Sequence, residues 1–185
     1  MKVKLNYLNG LITESELKDI QKELSEVNID FRFFDDTGKL KACFDFESPL
    51  SLFISREIIA SGIGYDLVKL AAFRILQIIS NKTFLLGRSS GIEEKPSKLN
   101  LNAKLADGGE ISLTIEGNLD KEAQNNAIDK AFRLLENQTS PTIFYKGGER
   151  KDTMIGFYDK KTNQYEVESM SEFVEKKIEE QNKRG

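Results

Sequence analysis

Residues 55–79, SREIIASGIGYDLVKLAAFRILQII, leave the chain few ways to fold. From Leu67 to Ile79 apolar side chains cover most of a helix's circumference, broken mainly by Lys69, Arg74 and Gln77, and a helix apolar nearly all round has to be enclosed. Residues 56–79 are therefore expected to be the central buried helix. Ala60, Ser61 and Gly64 are small and lie three or four residues apart, so they are predicted to let a neighbouring element approach the backbone closely.

The segments around this helix read mainly as strands. Lys2 to Leu8 is a first strand, and TESELKDIQKELSEVN is a surface helix in which Thr13 and Glu16 form a capping box ahead of Leu17, Ile20 and Leu24. The stretch IDFRFFDDTGKLKACFDFE reads as a hairpin turning at DDTG, with Gly38 in the left-handed position. SPLSLFIS is a further strand or an extended lead into the helix. KLNLNAKLADGGEISLTIEG alternates with period two and is expected to be a second hairpin. Its Leu99, Leu101, Ala103 and Leu105 point inward, and Asn100, Asn102 and Lys104 face water. The helix DKEAQNNAIDKAFRLLENQ follows.

The last part repeats this grammar: PTIFYKGG is a short strand, a hairpin turns over KKTN, and a terminal helix is capped by Ser169 and Glu172. The fold class expected is α+β, a mainly antiparallel sheet of hairpins with helices on one face, in three successive hairpin-helix units. GRSSGIEEKPSK at 87–98, rich in Gly, Ser and charge, is expected to be an exposed loop or linker. It divides an N-terminal half, 1–86, from a C-terminal half, 99–185, which can still form one continuous domain.

Missing residue types restrict the chemistry. The chain of 185 residues has no histidine and one cysteine, Cys43. Triads built on histidine, histidine-zinc sites and intrachain disulfides are thereby excluded, and a reducing, cytoplasmic setting fits best. The start MKVKLNYLNG lacks an apolar run long enough for a signal peptide and is expected to be the mature N-terminus. No stretch approaches the ~20 uncharged apolar residues of a membrane span, so the protein is expected to be soluble. A net charge of −3 gives no field for gathering nucleic acid.

Three sets of residues are candidate sites. Gly62 and Gly64, with Tyr65 and Asp66, become an anion loop if the helix starts near Tyr65. The spacing is not a dinucleotide fingerprint, because Leu67 stands where the third glycine belongs. In CFDFE, Cys43, Asp45 and Glu47 share one face of a strand, and paired carboxylates can do acid–base work or hold a cation. Acids on exposed strand faces also discourage edge pairing, which is the commoner use, and no metal or cofactor is assigned. Lys146, Arg150, Lys151, Lys160 and Lys161 can converge near Phe157, Tyr158 and Tyr165, but interleaved acids weaken that field.

The expected function is that of a non-enzymatic cytoplasmic protein that works by contact with another protein, as an adaptor, inhibitor or immunity-type partner. A homodimer remains open. The alternative is a small-molecule or phosphate-binding protein or enzyme using residues 61–66 with Asp45 and Glu47. A second alternative is a nucleic-acid module on the C-terminal hairpin.

Overall fold

The computed structural model describes residues 1–37, 50–61, 63–88, 91–105, 108–139 and 153–183. Among them are nine strands and five helices, in a mixed α/β arrangement. The chain begins with β1 (Lys2–Tyr7), α1 (Glu14–Ser25) and β2 (Asp30–Asp35), then β3 (Leu50–Ile54), α2 (Arg56–Ile59) and α3 (Ile63–Ile78). A hairpin of β4 (Thr83–Arg88) and β5 (Gly91–Pro96) comes next, followed by β6 (Lys98–Lys104), β7 (Glu110–Glu116) and α4 (Lys121–Thr139). The chain closes with β8 (Met154–Asp159), β9 (Gln164–Ser169) and α5 (Met170–Asn182).

Seven strands form one sheet in the order β2-β1-β3-β6-β7-β8-β9. The sheet is mixed, which corrects the expectation of a mainly antiparallel one. Parallel pairs β1/β2, β3/β6 and β7/β8 alternate with antiparallel pairs β1/β3, β6/β7 and β8/β9. Each parallel pair is joined through at least one helix, because a strand cannot pair parallel to its predecessor without a crossover. Two hairpin-helix units are present, β6–β7–α4 and β8–β9–α5. The first unit expected is different: β2 pairs parallel with β1, and the second arm of its proposed hairpin lies outside the described residues.

The register aligns side chains in rows across all seven strands. One row reads Phe33, Leu5, Leu52, Leu101, Leu113, Gly156 and Val167. It faces α1, α3 and α4, and with Ile58, Val68, Ile75, Leu76, Ala127, Ala131 and Phe132 it belongs to a single apolar core. At Gly156 an added Cβ would lie 2.7 Å from Leu113 Cδ2, so the row closes up only around a glycine. The neighbouring row points the other way and reads Arg32, Lys4, Phe53, Asn102, Ser112, Ile155 and Glu168.

Four helices lie on the core side, and α5 does not. Phe157, on the outer face, stacks on Phe173 of α5 at 5.5 Å, and Lys176 pairs with Glu168 on the same side. Helices on one face therefore describe α1 to α4 only. Both predicted capping boxes form. Thr13 Oγ1 accepts from the Glu16 amide at 3.3 Å while Glu16 accepts from the Thr13 amide at 2.8 Å, and Ser169 and Glu172 repeat the pattern.

The helix expected over 56–79 is two helices. The Ser61 amide and hydroxyl both donate to the Ile58 carbonyl, at 3.0 and 2.9 Å, which closes α2 in a turn before α3 begins. Across 87–98, where the sequence suggests a loop, β5 pairs antiparallel with β4 and β6 already begins at Lys98. The β3/β6 pairing carries one strand ladder across that division. On the β4–β5 hairpin, Leu85 and Ile92 share a face and are 71% and 77% exposed. Asn100, expected to face water, is buried, and its Oδ1 accepts a hydrogen bond of 2.8 Å from Thr114 Oγ1 across the pair.

Candidate functional site

The residues singled out around the glycines do not converge. Gly62 lies outside the described residues, as do Asp45, Glu47 and Cys43. Gly64 is buried in the first turn of α3, where a Cβ would lie 2.8 Å from Ser61 Oγ and 3.3 Å from Met1 Sδ. Its missing side chain is what lets Met1 and Ile29 pack there. Tyr65 turns toward α4 and meets Phe132 edge-on at 5.2 Å. Burial first, then the carboxylates of Glu136, Asp66 and Asp129, pushes its phenol up to about 12, so it stays protonated at neutral pH and cannot serve as a base. Asp66 is exposed.

The C-terminal hairpin spends most of its described polar and aromatic groups on the fold, while Lys161 is exposed and forms no ion pair among the described residues. Tyr158 donates to Asn163 Oδ1 at 2.7 Å, and Tyr165 donates to the Ala127 carbonyl at 3.2 Å. Lys160 bonds Asp120 at 2.6 Å, and Phe157 is committed to Phe173. Lys146, Arg150 and Lys151 lie outside the described residues.

A polar cleft of about 500 Å³ sits between the end of α3, the start of α4 and Lys160. The scaffold already uses its groups. Buried Gln124 donates to the carbonyls of Leu119 and Gly117 at 3.0 and 3.3 Å, and Asp120 caps α4 by accepting from the Ala123 amide at 2.9 Å. The hydrogen bond from Lys160 and that amide hold the Asp120 carboxyl below the usual carboxylate range.

A second cavity, of about 300 Å³, opens on the outer face of the sheet and has a different character. It crosses the strand ends from Lys2 and Lys4 on β1, past Phe53 on β3 and Asn102 and Lys104 on β6, to Glu110 and Ser112 on β7 and then Thr153. Lys4 is its most constrained charge. Its Nζ stands 5.0 Å from the ring centre of Phe34 and 5.5 Å from that of Phe53, within the range where a ring face attracts a cation. Both rings remain more than two-fifths exposed, Phe34 at 43% and Phe53 at 42%.

The ion pairs that described lysines form lie outside this groove. Lys18, Lys69, Arg74, Lys98, Lys160 and Lys177 each hold a carboxylate. Among the described residues Lys2, Lys4 and Lys104 form no ion pair, although Glu110 stands opposite Lys104 in the register. Asp30, opposite Lys2, is already bonded by Arg32 at 2.9 Å. The outcome is a basic, partly aromatic groove on a chain of net charge −3.

None of these residues stands out as a motif. The signal for them is parity: in FRFF, Phe34 falls opposite Phe31 and Phe33, and in SLFI, Phe53 falls opposite Leu52 and Ile54. An aromatic out of step with an alternating strand has to point away from the core. No protein-family model matches this chain, and neither a curated protein nor a solved structure matches it. Among the described residues no helix is long and apolar enough to cross a membrane.

Proposed function

We propose that this protein is a non-enzymatic interaction protein of the cytoplasm, an adaptor, inhibitor or immunity-type partner, and that it meets another protein on the outer face of its sheet. One observation carries the reading: Phe34 and Phe53, exposed on the strands either side of β1, flank Lys4, which forms no ion pair among the described residues. Aromatic side chains are enriched at the centres of protein interfaces, where a large apolar ring gains most from losing water. A chain without histidine has a thin catalytic repertoire, and its single cysteine suits a reducing compartment.

The alternative built on residues 61–66 is less favoured, because Gly64 and Tyr65 face different packing partners. A single-strand nucleic-acid platform needs free ring faces, and Lys4 stands over one face of each of Phe34 and Phe53.

The test is affinity capture from cells that make the protein, comparing the natural chain with a Phe34→Ser/Phe53→Ser double variant of unchanged circular dichroism. A protein retained by the natural chain and lost from the variant supports the reading. A protein retained equally by both contradicts it.

A further inference from the structure

We infer that the outer-face groove receives a short, extended, acidic segment of its partner protein; this rests on the reading above and specifies what that surface recognises. The first support is charge. Three lysines line the groove against one glutamate, and among the described residues none of the three forms an ion pair, whereas Lys18, Lys69, Lys98 and Lys160 each do. Unpaired cations at a recognition surface speed encounter with an acidic partner and repel basic ones, which gives specificity more than raw affinity.

Dimensions give the second support. From β1 to Thr153 the groove crosses the ends of β1, β3, β6 and β7, and with strands ~4.8 Å apart it is roughly 15–20 Å long. At ~3.3 Å per residue this admits about five or six residues of extended chain. Lys2 and Lys4 lie on one face of β1 two residues apart, ~7 Å, so they flank one end of the groove and both stand near an acidic residue seated there. A volume of about 300 Å³ suits one anchoring side chain against Phe53.

Third, Lys4 is held in place before any partner arrives. Standing over two ring faces, it gives up less side-chain freedom on binding than a free surface lysine. The same arrangement leaves a nucleobase one face fewer on each ring, whereas a carboxylate meets the ammonium directly.

The experiment is fluorescence polarisation with the full chain and a labelled EELEEE hexapeptide. The comparison probes are labelled KKLKKK and a labelled decathymidylate, at about 50 mM and about 300 mM salt. Saturable binding of EELEEE is expected, weaker at the higher salt. It should fall about tenfold in Lys2→Glu/Lys4→Glu and hold in Lys22→Glu/Lys161→Glu, which makes the same charge change at exposed positions on α1 and the β8–β9 turn. Lys4→Gln, which keeps the side chain's length, stands in if the double variant melts early. The inference is overturned if EELEEE does not bind saturably, if the lysine variants bind it as well as the natural chain, or if KKLKKK or decathymidylate binds more tightly. Affinity capture then separates the two claims. A partner lost from Phe34→Ser/Phe53→Ser but kept by Lys2→Glu/Lys4→Glu overturns the acidic segment and leaves the interaction face standing, whereas a partner kept by both overturns the face itself.

Discussion

Leu52 and Phe53 are neighbours on β3, yet they belong to opposite sides of the molecule. Leu52 is fully buried in the row that runs from Phe33 to Val167, whereas Phe53 is 42% exposed beside Lys4. A strand's period of two places adjacent residues in different environments, and the register extends each environment across seven strands. The inner row is continuous hydrocarbon, and its role is to remove apolar surface from water. The outer row mixes cations, an amide, a ring and a carboxylate with one buried aliphatic, Ile155, and its exposed members contribute little to folding and so remain available for recognition.

The largest expected effect tests the inner half of this contrast. Leu52→Ala should destabilise the chain by about 2–5 kcal/mol, read from denaturant midpoints, because a fully buried leucine leaves a cavity. A loss comparable with that of a surface substitution would mean that the inner row is not the core. Asn100→Ala sharpens the contrast by testing the exception on the outer face. It strands the buried Thr114 hydroxyl and should cost roughly 1–3 kcal/mol. Phe53→Ala should cost about 1 kcal/mol or less, since much of the ring is already in water. Lys4→Met removes two exposed cation–ring contacts and should cost about 0.5–1 kcal/mol. Should Phe53→Ala destabilise as much as Leu52→Ala, the division of labour between the faces would be lost.

Much of the fold is legible in local chemistry. The alternation of KLNLNAKL and EISLTIE marks β6 and β7, and Thr13 with Glu16 and Ser169 with Glu172 marks two helix starts, because these signals act over a few residues. Pairing direction is another matter. Parallel and antiparallel strands share the same period, so nothing in KVKLNY or DFRFFD shows that β1 and β2 run together; the helix between them decides it. The hairpin at 83–96 escapes notice because its second strand, with Ile92, Glu93 and Glu94 all exposed, does not alternate. The break at Ser61 escapes because the residues on both sides of it keep helical spacing.

The groove was readable in part. Off-parity Phe34 and Phe53 betray an outward ring, and KVK betrays two outward lysines, but only the register brings Lys4 between the two rings and Lys104 to the same end of the sheet. Sequence spacing alone keeps these residues about 20 to 100 positions apart. Attention instead goes to Gly64 and Tyr65, whose small size and polarity turn out to serve close packing against Met1, Ile29 and Phe132.

The most direct test is an amide chemical-shift titration of the isotope-labelled chain with the EELEEE hexapeptide. The account predicts saturable shifts concentrated at Lys2, Lys4, Phe53, Asn102, Lys104 and Ser112, with the core row and residues 63–66 of α3 unmoved. Shifts centred on α3 or on the polar cleft at Gln124, or none at saturating peptide, would contradict it.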